Sequence, residues 1–426
     1  MIPELKSIIR EAYSSSTVGS RLPHPHSDLR LPRAQAVTFR KLGENVRAEH
    51  PRRIRYPMTT NATSPTKRQN LDFDALRLFF ASLVLFSHSF ELIRRPDPIQ
   101  AMSSAASLGQ LAVDGFFLIS GFLITQSWMS DPSIKRFLAK RMLRMYPAFI
   151  VAVIFSAFVA GPLGAMPHQY FAEFDYLHFL RSMLALQGAN TPKVFAGTSI
   201  ELVNGSMWTI SFEVRCYILA MVIGLAGLFA RRYAVLLLTV ALGIWISVST
   251  PLDGSMNVQH LPFGIKALRV SDTMLWFVAL FMTGSSYALF RDRIRFNGFT
   301  LLLAFVALCV CLVHPSAQRF GVLLAGAYFV FCLASMGRSK HGAKQAQGTD
   351  ISYGLYLYGW PIQKLLAWYV PSLSPWGIFA LTLVIAGALA FASWHFVEKP
   401  ALKIKPRPKH RPANPSTSIE SAEKLV

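Results

Sequence analysis

A series of long apolar runs constrains the fold of this chain more than any other feature of its sequence. Each run has roughly 18 to 22 residues, enough for a helix rising ~1.5 Å per residue to cross a ~30 Å hydrocarbon core. With 52% hydrophobic and 15% charged residues, the chain of 426 residues is also too apolar for a soluble domain. We therefore predict an all-α polytopic membrane protein with about ten transmembrane helices, at about 73–93, 108–128, 145–162, 207–228, 233–250, 272–290, 296–313, 319–336, 351–370 and 376–396.

The connections between these runs are mostly short, which predicts one bundle of antiparallel neighbours without a separate water-soluble catalytic domain. Any chemistry is therefore expected inside the bundle. One connection, about 163–206, is longer and contains an apolar patch between Phe171 and Leu186. A segment of this kind predicts a lid or platform along the outer membrane interface.

The formal net charge of +21 is concentrated in the tails and in alternate loops, which argues against nucleic-acid binding. Loops after the even-numbered predicted helices contain thirteen Lys and Arg residues, against seven after the odd-numbered ones. By the positive-inside rule, this asymmetry places both termini in the cytoplasm. The expected location is the bacterial inner membrane, with membrane lipids as partners.

Composition divides the chain into three parts. Residues 1–70 have no apolar run and many Arg, Pro, Ser and Thr residues, so they are predicted to be a disordered basic tail. Met58 is a plausible alternative start, and residues 1–57 are therefore expected to be dispensable. Residues 71–400 form the predicted transmembrane domain, and 401–426 form a second disordered basic tail near anionic headgroups.

The four cysteines lie within or beside apolar runs, and no CxxC spacing or Cys/His cluster occurs. We expect them to be packing residues, and we expect neither a metal site nor a permanently bound cofactor.

Ionisable residues within the apolar runs are the candidate functional residues, because burying them in a membrane is costly. The first predicted helix contains Arg77 and His88, which are eleven residues apart and so project from one face. The imidazole of His88 could transfer a proton or accept an acyl group at neutral pH. The alternative is an interhelical hydrogen bond that only holds the bundle together.

Three further ionisable residues are predicted at the depth of His88. Asp114 begins the second helix and could orient the imidazole, Glu213 lies about two turns into the fourth helix, and Lys364 lies on the outer half of the ninth. The ninth helix also places Tyr353, Tyr356 and Trp360 on the face of Lys364. These aromatic residues predict a sugar platform, although an interfacial aromatic belt explains Trp360 equally well. Pro361 should kink this helix and free a backbone carbonyl.

Basic residues cluster between the second and third predicted helices. Positive-inside anchoring explains most such clusters. Arg141 and Arg144 are nonetheless three residues apart, so on a helix they share a face and could clamp phosphate groups.

Six stretches of the chain, within about 71–405, resemble motifs of the acyltransferase 3 family of membrane-bound acyltransferases. Arg77 and His88 fit its arginine, ten residues, histidine pattern, and Arg141 with Arg144 resembles its Arg-x-x-Arg. The other stretches are Phe116-Phe117 with Ser120-Gly121-Phe122, Asn204-Gly205-Ser206-Met207-Trp208 through Glu213, Ser352 through Pro361, and Trp394 through Pro400. Many members have His-Trp-Pro where this chain has Gly359-Trp360-Pro361.

The resemblance implies transfer of an acyl group, usually acetyl, from cytoplasmic acyl-CoA to a hydroxyl of a carbohydrate. The histidine matched by His88 is the family's essential residue, supported by the arginine matched by Arg77. The pair matched by Arg141 and Arg144 is associated with the donor. We predict Asp114 and Glu213 as further catalytic residues, and the following as substrate-binding residues: Trp208, Tyr353, Tyr356, Trp360 and Lys364.

The leading interpretation is thus an enzyme with acyl-CoA as co-substrate and a surface or exported carbohydrate as acceptor. The runner-up is a transporter or flippase that uses the same buried charges as a substrate path, and a third is a bundle with structural polar contacts only. The following stay open as acceptors: O-antigen, exopolysaccharide, a lipid-linked glycan, a glycan signal and an antibiotic precursor. Polysaccharide-synthesis machinery is an expected partner, and the oligomeric state is open.

Overall fold

The structure is a computed structural model that describes residues 73–103, 106–249, 258–259, 270–336 and 349–404. The predicted tail 1–70 with Met58, residues 71 and 72, and residues 405–426 lie outside this part of the chain. The described residues form helices and one short antiparallel pair of strands, β1 (Val258–Gln259) and β2 (Val270–Ser271).

The helices group into two compact units, which we describe separately. The first unit takes the described residues up to Ser130, Gly197–Ile200 and the described part of Phe212–Gly342. The second takes Asp131–Ala196, Glu201–Ser211 and the described part of Ala343–Val426.

The helices of the first unit, in chain order, are α1 (Asp74–Glu91), α2 (Pro98–Met102) and α3 (Leu108–Ser130). The next three helices along the chain, within residues 134–184, belong to the second unit. The first unit then continues with α7 (Trp208–Leu225, with Trp208–Ser211 counted in the second unit), α8 (Arg232–Ser249), α9 (Asp272–Phe290), α10 (Gly298–Val313), α11 (Pro315–Gly321) and α12 (Ala327–Met336). A five-residue π-helical turn, Val322–Gly326, joins α11 to α12.

The second unit contains α4 (Ile134–Phe155), which continues through a π turn (Ser156–Ala160) to Leu163. It also contains the two short helices α5 (Pro167–Ala172) and α6 (Tyr176–Leu184). Towards the C-terminus follow α13 (Ser352–Tyr369), α14 (Pro375–Ser393) with a π turn (Trp394–Glu398), and α15 (Lys399–Lys403).

Each of the ten apolar runs is helical in the structure, but the number of membrane crossings is shown only in part. Within the described part of the chain, six helices are long and apolar enough to cross a membrane: Leu108–Ser130, Ile134–Leu163, Trp208–Leu225, Asp272–Phe290, Pro315–Met336 and Pro375–Lys403. Arg232–Val248 and Gly298–Val313 are apolar but shorter. Helices α1 and α13 carry more polar residues. The protein is thus a multi-pass membrane protein, while the count of ten and the cytoplasmic termini stay predictions.

Helix α4 begins earlier than predicted. The sequence places the start of this span near 145, whereas the structure begins the helix at Ile134. The basic residues before 145 therefore belong to the helix, because Lys and Arg are good helix formers and Asp131 accepts hydrogen bonds from two of them.

The long connection after α4 folds back along α4, and its position as a lid or platform at the outer membrane interface stays a prediction. The ring centroid of Phe179 in α6 lies 5.6 Å from that of Phe158, and the Tyr146 hydroxyl donates to the Leu184 carbonyl at 2.8 Å. The chain then returns, and the Phe195 N–H donates to the Gly164 carbonyl at 2.7 Å. Buried Phe179 and Met183 on one face of α6 explain this packing.

Helix α3 packs closely against the neighbouring helix α9, which runs in the same direction. The rings of Phe117 and Phe277 stack at 4.0 Å. A Cβ atom at Gly121 would overlap the carbonyl oxygen of Phe281, and one at Gly284 would overlap that of Leu118. Only glycine allows the two backbones this approach, as small residues commonly do between membrane helices.

Gly121→Ala should therefore destabilise the protein, by ~1–3 kcal/mol or more, because the clash is with backbone and no side-chain rotation relieves it. Gly387→Ala is the matched control, since a Cβ at Gly387 in α14 meets nothing within 4 Å. Thermal unfolding of detergent-solubilised protein should show a lower midpoint for Gly121→Ala alone. Equal midpoints would contradict the close packing of α3 and α9.

Candidate active site

Arg77 and His88 lie near opposite ends of α1, on the face that packs into the first unit. Both side chains are half-buried, and an Arg77 Nη1 atom lies 3.9 Å from an Asp74 carboxylate oxygen. Between them on this face, Ala81 is 0% and Val84 is 1% exposed. Packed side chains therefore fill the stripe between Arg77 and His88, and a ligand could enter it only if they moved.

Three contacts set the register of α1 against α3. The rings of Phe73 and Phe122 lie 5.2 Å apart. The ring of Phe80 covers Gly115, and the hydroxyl of Ser87 faces Gly109. The two helices are thus antiparallel, with the Arg77 end of α1 beside the middle of α3 and the His88 end beside its first turn.

This register separates Asp114 from His88. Asp114 falls opposite Ala81, seven residues from His88, or roughly 10 Å at ~1.5 Å per residue. The sequence places the two at a similar depth, which the structure does not support. Side chains lean towards the N-terminus of their own helix, so His88 and Asp114 both lean towards the level of Gln110. Gln110, one turn before Asp114, lies between them.

Asp114 is buried, at 3% exposed, and two hydrogen bonds hold one of its carboxylate oxygens. The Gln110 side-chain amide donates to Oδ1 at 2.8 Å, and the Trp276 indole N–H donates to the same oxygen at 2.9 Å. Asp114 therefore connects α3 to α9 and fixes the amide of Gln110. Any influence of Asp114 on His88 is expected to pass through Gln110.

Glu213 lies at the level of Arg77, not of His88 as the sequence suggests. Its Oε1 accepts a hydrogen bond from the Ser120 hydroxyl at 2.9 Å and a short one from the Tyr217 hydroxyl. Ser120 belongs to the turn of α3 beside the Arg77 end of α1. Along α1 these polar groups therefore lie at two levels, with Gln110 towards the His88 end and Glu213 at the Arg77 end.

The other residues of the Ser-Gly-Phe motif are packing residues. Gly121 allows the close contact with α9, and the ring of Phe122 lies 5.3 Å from that of Phe331. Ser120 alone of the three presents a polar group, to Glu213.

In the second unit, acidic residues hold several of the basic residues at the start of α4. Asp131 accepts hydrogen bonds from Arg136, at 2.8 Å, and from Lys140, at 3.0 Å. The hydrogen bond from Arg136 is the main cause that lowers the pKa of Asp131 to about 2, and Lys140 contributes. Asp131 is therefore ionised at physiological pH and neutralises part of this basic cluster.

Arg144 forms a short ion pair with Asp350 and lies 5.8 Å from the ring of Trp394. Asp350 also accepts from the Ser352 hydroxyl at 2.5 Å at the start of α13. Arg144 thus links α4 to the segment before α13 and to the turn after α14. Arg141 lies one turn before Arg144, and its guanidinium carbon is 5.9 Å from the Phe137 ring.

The Asn-Gly-Ser motif at 204–206 packs against the middle of α13. The Asn204 amide donates to the Leu357 carbonyl at 2.9 Å and to the Ser156 hydroxyl at 3.1 Å. Leu357 is four residues before Pro361, which has no N–H to donate to it. The prediction that Pro361 frees a backbone carbonyl is confirmed, and Asn204 satisfies that carbonyl.

The aromatic residues of α13 are enclosed by the same motif. Trp360 is 2% exposed and packs on Gly205, where a Cβ would overlap its ring. Tyr356 is 8% exposed, donates to the Ser206 carbonyl at 2.8 Å and lies 2.7 Å from the Thr209 hydroxyl. In this conformation these two side chains hold the motif in place and do not present a surface to a sugar.

The other predicted substrate-binding residues lie in different surroundings. The Tyr353 hydroxyl donates to the Met145 carbonyl at 3.3 Å, and Trp208, half-buried, begins α7. Lys364 is 3% exposed, with its Nζ 4.8 Å from the centroid of the Phe195 ring. Lys364 is thus a buried cation covered by an aromatic ring.

Sequence reasoning did not identify four residues that position these groups: Asp97, Gln110, Trp276 and Asp350. Asp97 had a usable signal, because Asp followed by Pro98 is typical of a helix N-cap and first turn. Trp276 had none, since only tertiary packing brings α9 to Asp114. Among the described residues, no group of three or more His, Cys, Asp and Glu could hold a metal ion.

The fold and these residues define a multi-pass membrane protein with ionisable side chains held between its helices. The family model of the acyltransferase domain, the acyltransferase 3 family, matches residues 70–396. The chain therefore belongs to this family and is an acyltransferase.

Two curated relatives cover most of the chain. A protein named O-acetyl transferase from Shigella phage Sf6 is 26% identical over 336 residues, covering 77% of this chain and 94% of that protein. Nodulation protein 10 from Rhizobium leguminosarum bv. viciae is 27% identical over 367 residues, covering 81% and 96%. No solved structure matches the chain significantly.

Asn204→Ala should destabilise the second unit by ~1–3 kcal/mol, because it leaves the Leu357 carbonyl buried without its side-chain donor. Asn297→Ala, at an exposed cap of α10, is the control, expected to cost ~1 kcal/mol. The measurement is the thermal midpoint of purified protein. A normal midpoint together with lost activity would instead assign Asn204 to substrate binding.

Proposed function

We propose that this acyltransferase moves an acyl group, usually acetyl, from cytoplasmic acyl-CoA to a hydroxyl of a surface or exported carbohydrate in the bacterial inner membrane. The observation that carries the proposal is the pair Arg77 and His88 on one face of α1, within a family match over residues 70–396. The printed name of the phage relative, O-acetyl transferase, supports acetyl transfer to oxygen.

His88 supplies the chemistry in this proposal. As a general base, its imidazole takes the proton of the acceptor hydroxyl while the oxygen attacks the thioester carbonyl. The C–S bond then breaks, and the imidazolium returns the proton to the leaving thiolate of CoA. As a nucleophile, a ring nitrogen attacks the thioester carbonyl, the C–S bond breaks, and the ring proton passes to the leaving thiolate of CoA. The acceptor oxygen then attacks the acyl-imidazole, and its proton returns to the ring as the bond between the acyl group and the nitrogen breaks. Both routes regenerate the neutral imidazole.

Asp114 assists His88 indirectly in this mechanism. It holds the amide of Gln110, which lies at the level towards which the imidazole leans. A fixed amide beside the ring would favour one tautomer and orientation, as an ordered partner does for catalytic histidines generally. Loss of Asp114 should therefore have a smaller effect than loss of His88.

The other level of the first unit serves the donor in this proposal. Arg77 lies roughly 16 Å along α1 from His88, at ~1.5 Å per residue. The hydrogen-bonded side chains of Glu213, Ser120 and Tyr217 lie at the level of Arg77. A CoA pantetheine arm contains amide groups, which such side chains can bind. Arg77 therefore supports the donor, and His88 the transfer.

Arg141 and Arg144 are proposed to bind the CoA phosphates. The guanidinium group has five N–H donors, and the contact of Arg144 with Asp350 is made through Nη2. Asp350 fixes the plane of the guanidinium and hence the direction in which its other edges point. Lys364 and Trp208 stay candidates for the acceptor, whose identity the proposal leaves at the level of a carbohydrate hydroxyl.

His88→Ala should abolish acyl transfer without changing the amount of folded protein, because an imidazole base contributes ~10²–10⁴-fold and an acyl carrier more. The assay follows label from [¹⁴C]acetyl-CoA into the carbohydrate fraction of inverted membrane vesicles that contain the full chain. Arg77→Ala should impair transfer strongly.

His168→Ala, an exposed histidine of α5, is the control and should behave like the unaltered protein. Transfer at a near-normal rate by folded His88→Ala would show that His88 is only a packing residue. Solute or glycan movement without any use of acetyl-CoA would favour the transporter alternative.

A charge exchange, Arg144→Asp with Asp350→Arg, separates donor binding from structure at this ion pair. The exchanged pair should restore the folded amount that either single variant loses, since the two opposite charges are retained. The KM for acetyl-CoA should nevertheless stay raised, because the cation no longer sits beside Arg141. Full recovery of KM would show that Arg144 serves only to link α4 to α13.

A further inference from the structure

A buried carboxylate lies between α1 and α3, within one turn of His88. Asp97 is 1% exposed and accepts four hydrogen bonds. Its Oδ1 accepts from the backbone N–H groups of Ile99, at 3.0 Å, and Gln100, at 2.9 Å. Its Oδ2 accepts from the Ser87 hydroxyl, at 2.6 Å, and from the Leu108 N–H, at 2.9 Å.

The two oxygens have separate tasks. Contacts to Ile99 and Gln100 are those of an ordinary N-cap and suffice to start the short helix α2. The second oxygen is not needed for that cap. It joins Ser87, near the end of α1, to Leu108, the first residue of α3. One oxygen thus connects the two helices at one level.

That level is the level of His88. Ser87 directly precedes His88, and the register of α1 against α3 places His88 opposite the first turn of α3. The helices also approach closely here, since a Cβ at Gly109 would lie 3.0 Å from the Ser87 hydroxyl oxygen. The bond from Ser87 therefore fixes both the height and the rotation of the part of α1 that carries the imidazole.

We propose that Asp97, acting through Ser87, is a positioning residue for His88 in acyl transfer. This inference rests on the proposed catalytic role of His88. A histidine on a membrane helix has no covalent constraint on its height relative to a neighbouring helix, and a displacement of ~1 Å can cost ~10²-fold in rate. The buried Ser87 to Asp97 bond supplies that constraint. The contact does not include Arg141 or Arg144, the residues proposed to bind the CoA phosphates.

Selective variants exist for this bond. Asp97→Asn keeps one carbonyl oxygen, which can serve the N-cap of α2 but not both pairs of donors. Ser87→Ala removes the donor at the other end. Ser89→Ala is the matched control, because Ser89 is a buried serine of the same helix whose hydroxyl donates to the Leu85 carbonyl within that helix.

The test measures maximal rate and KM for acetyl-CoA in inverted vesicles containing the full chain, per amount of folded protein. Ser87→Ala and Asp97→Asn should each lower the maximal rate about tenfold or more, with KM within about twofold. The double variant should be no slower than the slower single one, because both variants remove the same Ser87 to Asp97 bond. Ser89→Ala should match the unaltered protein, and adding it to Asp97→Asn should leave the rate of Asp97→Asn unchanged.

A second perturbation guards against a simple loss of folding. Gly109→Ala removes no hydrogen-bonding group but pushes on the Ser87 hydroxyl, and it should lower the maximal rate in the same way. The inference is overturned if Ser87→Ala has the same maximal rate per folded molecule as Ser89→Ala. It is also overturned if the rate losses of Ser87→Ala and Asp97→Asn multiply in the double variant. His88→Ala in the same assay separates the two proposals. Activity without His88 overturns its catalytic role, whereas an inactive His88→Ala beside a normal Ser87→Ala overturns only the role of Asp97.

Discussion

Helix α3 depends on one constraint, which is that polar groups inside an apolar bundle must be bound by other groups of the protein. Glycines at 121 and 284 bring α3 and α9 into backbone contact. That approach allows Trp276 to reach Asp114. On its other side, α3 meets α1 through Gly109 and Gly115. The small residues of α3 thus set the distances at which its polar residues find their partners.

The same constraint changes the meaning of the family motifs in the second unit. Asn204 satisfies the carbonyl that Pro361 leaves without its helical partner, and Gly205 makes room for Trp360. Two motifs far apart in sequence are therefore one packing arrangement. The two motifs occur together because the proline within α13 leaves a carbonyl that the Asn204 segment must satisfy. Their presence does not by itself identify a sugar-binding surface.

Reactive and supporting groups are separated along α1. The end with His88 carries the Asp97 contact to Ser87, and the other end faces Ser120 and Glu213. The proposed reaction assigns support of the donor to the Arg77 end and acyl transfer to the His88 end. The packed stripe at Ala81 and Val84 keeps the two ends apart while fixing their spacing. The proposed mechanism therefore requires rigid placement of this one imidazole.

The sequence by itself determined the helical class, the place of each apolar run, and the motifs that identify the family. These follow from local properties, namely run length, eleven-residue spacing and the missing N–H of Pro361. Family membership then pointed to His88 and Arg77. The start of α4 was set too late, because charged residues in a helix look like a loop when only apolar length is counted.

Only the tertiary structure decided which groups share a level. The register of α1 against α3 comes from contacts of Phe73, Phe80 and Ser87, and no local pattern specifies it. For that reason Asp114 and Glu213 were expected level with His88, although one lies about two turns away and the other near Arg77. Asp97 was likewise invisible as a link between helices. A hydrogen bond between residues on two helices depends on their relative height, and packing alone sets that height.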